Sequence, residues 1–243
     1  MDERFHSFER SVEDWHWWYR VRRTILDQYV ERLDLDPAKA RLLDVGCGTG
    51  GSSLVLSRHG QVTGLDAALR SFHLSPDRPS THRVVAPAAV LPFRDQVFDV
   101  VAALDVLEHL DDDVAGAREL HRVLRPGGSA VIFVPAFNFL WRRNDDFSHH
   151  RRRYTARMLE RTLTQGGFRL LDLGYFNLVL FLPQLAATLA ERLLPSRVER
   201  FERDWEPSLM NSLLERLFRL EVPLLRRRPL PFGASVVCLA RRD

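Results

Sequence analysis

The sequence predicts an α/β chain with a mostly parallel sheet and helices on both faces. Three observations predict it. Short apolar runs alternate with helical patterns between residues 41 and 136, which implies right-handed crossovers between parallel strands. A glycine-rich turn, "DVGCGTGG", follows the first of these runs. The second run, "VTGLD", ends in an aspartate, Asp66.

The elements follow in order. Residues 8–35 read as one helix, because Val12, Trp15, Tyr19, Ile25, Leu26 and Val30 recur at near-helical spacing. Asp36-Pro37 breaks it. "RLLDVG" (41–46) is a buried strand, and "SSLVLSRHG" is a helix ended by Gly60. Residues 62–66, 82–87 and 98–105 are the next strands. "DVAGARELHRVLRPGG" is a helix stopped by Pro-Gly-Gly, and 129–136 is a fifth strand. Then the pattern changes. Residues 137–155 form a polar, aromatic loop, "TARMLERTLTQGGF" a helix, and 169–176 a sixth strand. Residues 177–230 read as a helical, apolar insertion before a final strand at 233–242.

Composition narrows the function. The chain has 243 residues, 45% hydrophobic and 28% charged, which suits one globular domain with an ample core. Two cysteines, Cys47 and Cys238, make no disulfide framework. No apolar stretch near the N-terminus reads as a secretory signal, so a cytoplasmic site is expected. Lys39 is the only lysine among 35 basic residues. That skew reflects codon bias more readily than phosphate binding, and with a net charge of +3 no nucleic-acid partner is expected.

The glycine turn fits a dinucleotide loop through Gly46, Gly48 and Gly51 on spacing alone. Asp44 argues against it, since a carboxylate there would repel a pyrophosphate. It suits S-adenosylmethionine (SAM), which carries an ammonium and a sulfonium and no phosphate. Asp66 can accept hydrogen bonds from ribose hydroxyls. The plainer reading of Asp44 is a turn or capping carboxylate.

"LLDVGCGTG", "VTGLD", "LPFRDQVFDVVAALDVLEHL" and "LRPGGSAVIFVP" resemble the ordered motifs of class I SAM-dependent methyltransferases, most of all the group containing the ubiquinone and menaquinone methyltransferases. The resemblance covers residues 41–136. It implies a Rossmann-like, seven-stranded sheet whose last strand is antiparallel, with SAM as cofactor. It implies cofactor contacts at Asp44, Gly46, Cys47, Gly48, Gly50, Asp66, Ala67, Ala88 and Leu104. One departure stands out. Where the family commonly has an acidic residue near the adenine amine, this chain has Pro87, so that contact falls to backbone around Ala88 and to apolar packing.

Four further segments bear on the acceptor. Asp105, Glu108 and His109 stand at i, i+3 and i+4. Related quinone methyltransferases hold a divalent metal with an acidic-x-x-Glu-His pattern, but helix capping explains Asp105 equally, and no metal is expected; His109 is a candidate base. "WHWWYRVRR" (15–23) resembles an N-terminal signature that covers the cofactor in some of these enzymes, so residues 1–40 are expected to close over the site, with Trp18 and Arg22 acting together and Arg22 meeting the methionyl carboxylate. The insertion 177–230 reads as a lid, a dimer face or a membrane-surface element completed by Arg226–Arg228. An uncharged run at 173–190 approaches the length of a membrane span, but Asn177, Pro183 and Gln184 argue against one.

Finally, "SHHRRRYT" (148–155) resembles an Asp-x4-His-x-Arg-Arg-Tyr signature, matched by Asp145, His150, Arg152, Arg153 and Tyr154, with His149 where that group usually has glycine. A solvated turn is the alternative. On the functional reading, Arg152 or Arg153 grips an anionic group of the acceptor, Tyr154 stands beside them, and His150, oriented by Asp145, takes the acceptor's proton. The sequence thus predicts a methyltransferase built from 41–176 plus 231–243. Its acceptor is small or lipid-like, its state monomeric or homodimeric, and it has peripheral contact with the inner face of the membrane. The alternatives are a SAM-binding cyclase or decarboxylase and a non-catalytic membrane-associated partner of the same fold.

Overall fold

The computed structural model describes residues 3–78, 82–193, 209–227 and 229–243. Seven strands form one sheet: β1 (Arg41–Val45), β2 (Gln61–Asp66), β3 (His82–Val85), β4 (Phe98–Leu104), β5 (Leu124–Pro135), β6 (Arg169–Phe176) and β7 (Ser235–Arg241). Their order is β3-β2-β1-β4-β5-β7-β6. β1 to β5 pair in parallel, and β7 inserts antiparallel to both β5 and β6. The switch between outward winding directions falls between β1 and β4, which opens a crevice at the carboxyl edge there.

The helices are α1 (Glu3–Val12), α2 (Trp17–Glu31), α3 (Gly51–Leu56), α4 (Leu69–His73), α5 (Asp113–Val123), α6 (Arg143–Phe147), α7 (Ala156–Gln165), α8 (Phe181–Leu193), α9 (Leu209–Arg219) and α10 (Val222–Leu225). They cover both sheet faces and bury two apolar clusters. One joins Leu43, Val101 and Ile132 to α5 and α7; the other joins Leu42, Val100 and Phe133 to α2 and α9.

Two expectations change. The single helix at 8–35 is two. His16 caps the second, its Nδ1 accepting from the Trp18 amide at 3.3 Å, so α1 can turn over the glycine loop while α2 packs on the sheet. The fifth strand starts at Leu124, because the Pro-Gly-Gly segment continues in extended form and Gly127 donates to the Arg242 carbonyl. The described part of the insertion packs against α2 and the sheet. Phe218 is fully buried and lies parallel to Phe176, with ring centres 6.3 Å apart. Trp18 stacks on the same ring at 6.0 Å. Residues 194–208 and Arg228 of that insertion lie outside the described residues.

Candidate active site

The donor turn is built by backbone. The Gly46 and Cys47 amides both donate to the Leu65 carbonyl, at 2.8 and 3.0 Å, which ties the turn to β2. Gly46, Gly48 and Gly50 all have positive φ, between +51° and +88°, a conformation glycine reaches at little cost. A methyl group on Gly48 would stand 2.9 Å from Glu9 Oε2. On Gly51 it would stand 2.6 Å from Glu13 Oε2. Residues of α1 thus lie directly over the loop. Glu9 lies in α1 and Glu13 one residue past its end, at i and i+4, a spacing present in the sequence. Arg78 anchors that end of the cover through Glu13 at 3.0 Å and Asp14 at 2.5 Å.

Asp66, almost buried, accepts from the Gly48 amide at 2.9 Å and the Ala68 amide at 2.8 Å. It ends β2 beside the turn, as a ribose acceptor must. Asp44 is buried below the loop and accepts from the hydroxyls of Ser52 and Ser53, at 2.7 and 2.6 Å. The carboxylate therefore does hold the turn to α3. Burial raises its pKa to about 6 despite those two donors. Cys47 is buried and its thiol is pushed up by burial and by Asp44, so it is packing rather than a nucleophile. Leu104 and Ala88 are half-buried against the two clusters, and Ala67 is exposed at the end of β2. The positive-φ glycine cradle, with two carboxylates below it and two above, fits a ligand that is cationic and lacks phosphate.

The Arg22 guanidinium stands 4.8 Å from the centre of the Trp18 ring. Arg22 is otherwise occupied, however. It is buried and donates to Asp105, which stands at the end of β4 with φ +56°. Asp105 is its ion-pair partner among the described residues. Asp105, at positive φ, precedes a single 3₁₀ turn of Leu107–His109, so the three residues do not share an α-helical face as their spacing suggested.

His109 and His150 come together instead, from β4's end and from the segment after α6, with ring centres 4.7 Å apart at 81°. Burial, then the neighbouring His150, lowers the His109 pKa to about 4. His150 Nδ1 is 2.8 Å from Asp145 Oδ1. Glu108, which the sequence offered only as part of an acidic-x-x-Glu-His pattern, is fully buried, and burial, then Asp105, pushes its carboxyl well above the usual range.

Arg152, Arg153 and Tyr154, expected at the acceptor, are held internally. Arg153 forks onto Asp145 at 2.9 and 2.8 Å and donates to the Ala136 carbonyl. Arg152 donates to the Leu110 and Asp111 carbonyls and pairs with Asp113 at 3.0 Å. The fully buried Tyr154 donates to Asp113 at 2.8 Å. A buried or half-buried guanidinium needs all such partners nearby, and sequence spacing does not reveal them. His149 has φ +57°, which explains why glycine suits that position.

A family profile described as "Methyltransferase domain" matches residues 43–132. The chain is 37% identical over 120 residues to the 2-methyl-6-phytyl-1,4-hydroquinone methyltransferase of a Synechocystis species, covering 47% of this chain and 36% of that one. It is 29% identical to an S-adenosylmethionine-dependent methyltransferase of Mycolicibacterium smegmatis, over 80% of this chain and 77% of that one. The crystal structure of the [4+2]-cyclase SpnF superposes with a TM-score of 0.60 at 25% identity, covering 93% of this chain and 82% of that one. The chain spans 36 to 42% of the length of the first curated relatives it matches. No helix among the described residues is long and apolar enough to cross a membrane. Residues 43–132 thus carry a methyltransferase domain, and the seven-stranded sheet with its antiparallel β7 is the fold of the SAM-dependent methyltransferases that the chain resembles.

Proposed function

We propose that the chain transfers the methyl group of SAM to a small hydrophobic acceptor of quinol-like or lipid-like chemistry. The observation that carries the acceptor class is an aromatic group at the carboxyl edge. Phe137, just after β5, lies within 5.0 to 5.2 Å of the rings of Phe139, Tyr175 and Phe232. Phe139 and Phe232 remain 45% and 37% exposed. The edge runs from the donor turn after β1, past His109 after β4, to this aromatic group after β5. Bound SAM supplies an electrophilic methyl group. The chain's own part is to hold and align the two reactants and to keep water out. Asp66 and the Gly46–Gly50 turn would hold the donor, with residues 1–40 closing over it. His109 and His150 are the groups at this edge able to receive a proton from an acceptor hydroxyl.

Similarity to a hydroquinone methyltransferase supports the acceptor class. Exposed Leu182, Leu189 and Leu193 of α8, with Leu209, Met210 and Leu213 of α9, support contact with the membrane surface from the cytoplasmic side, where such an acceptor partitions. A second reading, a SAM-binding cyclase, is favoured by the likeness to a cyclase of the same fold and by Pro87 at the adenine side. Incubating the chain with SAM and a panel of quinols, fatty acids and water-soluble amines, with mass spectrometry of both products, separates them. Methylated quinol or lipid together with S-adenosylhomocysteine supports the first reading. A rearranged acceptor with SAM intact supports the second, and methylation of the amines alone overturns the hydrophobic-acceptor assignment.

A further inference from the structure

We propose that Asn211 of α9 is a positioning residue for the methyl donor: it fixes the junction between α1 and α2 and thereby sets where α1 lies over the glycine turn. The proposal rests on the reading that residues 1–40 close over SAM.

The junction has a chemical need. α1 ends at Val12 and α2 begins at Trp17, and the first amides of a helix have no partner within it. His16 serves the Trp18 amide through Nδ1 at 3.3 Å. Asn211 serves one backbone group on each side of His16. Its Oδ1 accepts from the Trp17 amide at 3.0 Å, and its Nδ2 donates to the Trp15 carbonyl at 3.1 Å. An amide side chain offers both an acceptor and a donor, so one residue ties the start of α2 to the turn that follows α1.

Asn211 is itself held in place. Two turns along α9, Phe218 is fully buried, with the Trp17 and Trp18 rings 5.9 and 6.0 Å from its own. One turn on from Asn211, Glu215 pairs with Arg20 of α2 at 3.2 Å; one turn further, Arg219 donates to the Thr24 hydroxyl at 3.4 Å. Residues four apart share a helix face, so Asn211, Glu215 and Arg219 form one seam along α2. Asn211 is the member that reaches past α2 to the turn after α1.

The junction controls the cover. A methyl on Gly48 would meet Glu9 Oε2 at 2.9 Å, and one on Gly51 would meet Glu13 Oε2 at 2.6 Å. Glu9 lies nearly two turns before the junction, so a small change of angle there shifts its carboxylate relative to Asp66 and the glycines. Arg78 ties the cover through Glu13 and Asp14, and Asn211 ties it to the insertion. The insertion and the donor site, far apart in sequence, are thereby mechanically joined.

The test is SAM calorimetry on the full chain, with urea melts alongside. Asn211→Ala should weaken SAM binding by roughly fivefold or more. Asn211→Asp divides the two bonds. Its carboxylate still accepts from the Trp17 amide at the N-terminus of α2, where negative charge is favourable, but it cannot donate to Trp15. Its urea midpoint should stay near wild type while SAM affinity falls as in Asn211→Ala. A residue that only stabilised α2 would show no such split. Should Asn211→Ala fail to fold, Asn211→Asp carries the test. Arg32→Ala, which releases the other end of α2 from Asp172, should lower the urea midpoint and leave SAM affinity unchanged. An equal loss of affinity in Arg32→Ala would make Asn211 one of several general supports of α2 and overturn the assignment. Arg78→Ala tests the underlying reading. If it too binds SAM as wild type, α1 is no cover, and the proposal falls with that reading. If Arg78→Ala weakens SAM binding while both Asn211 variants bind as wild type, the cover stands and the positioning role of Asn211 is overturned.

Discussion

Arg22 of α2 donates to Asp105 at the end of β4, so one half-buried pair joins the N-terminal cover to the strand that leads into Glu108 and His109. The Arg22 side chain is only 8% exposed. Asp105→Asn leaves that guanidinium without its charged partner and should cost about 2 kcal/mol, read as a lower urea midpoint with an unchanged slope. SAM affinity measured by calorimetry should fall with it, because the closure of α2 over the edge loosens.

Gly48→Val should reduce SAM affinity by more than about tenfold. A β-branched residue at φ +51° is strained by about 1–2 kcal/mol, and its Cβ would collide with Glu9. Asp66→Ala should do likewise, since it removes both the proposed ribose acceptor and the bond from the Gly48 amide. Calorimetric affinity equal to wild type in the glycine variant would remove this turn from the cofactor site.

Asp44 sets a pH dependence. Its carboxyl has a pKa of about 6 in the fold against an ordinary 3.8. Between those values the native state keeps a proton that the unfolded chain has released. Stability therefore falls as pH rises from about 4 to about 6 and levels off above, by on the order of 3 kcal/mol for this group alone. Urea melts of Asp44→Asn should lack this contribution. If the SAM ammonium pairs with Asp44, SAM affinity runs the other way and rises with pH across the same window, which calorimetry at pH 5 and pH 7 would measure.

Tyr154→Phe should lower stability by about 1 kcal/mol through loss of the bond to Asp113, with little change in the KM of any acceptor. Arg153→Ala should act mainly on stability and on kcat, by releasing Asp145 and with it His150. An increase confined to acceptor KM would show instead that Arg153 reaches the acceptor.

Deleting residues 177–230 should leave no stable SAM-binding core. Phe218 and Leu225 belong to the same buried cluster as Ile25 and Phe133. Phe218→Ala alone should cost about 3–5 kcal/mol, measured by chemical denaturation. A soluble deletion variant with a cooperative melt and wild-type SAM affinity would make the insertion a separable lid after all.

The sequence by itself determined the sheet and the donor turn, for a local reason. Residues 41–45 and 61–66 are short, largely apolar runs with an aspartate at or next to the end, and the glycines between them satisfy a backbone geometry that few other residues reach. All seven strands lie where apolar runs sit, and β6 runs from Arg169 to Phe176 as its pattern predicts. What the tertiary structure decided is the use of the charged groups. Asp105, Glu108 and His109 look like one set at i, i+3 and i+4, but Arg22, 83 positions away, takes Asp105, and His150 comes in from after β5 to replace it. Arg152 and Arg153 look like free anion grips until Asp113 and Asp145 are seen to claim them. Apolar periodicity reports a solvent preference that each segment carries in its own residues. Which carboxylate neutralises which guanidinium depends on distances between remote segments, and these exist only once the sheet has brought the ends of β1, β4 and β5 to one edge.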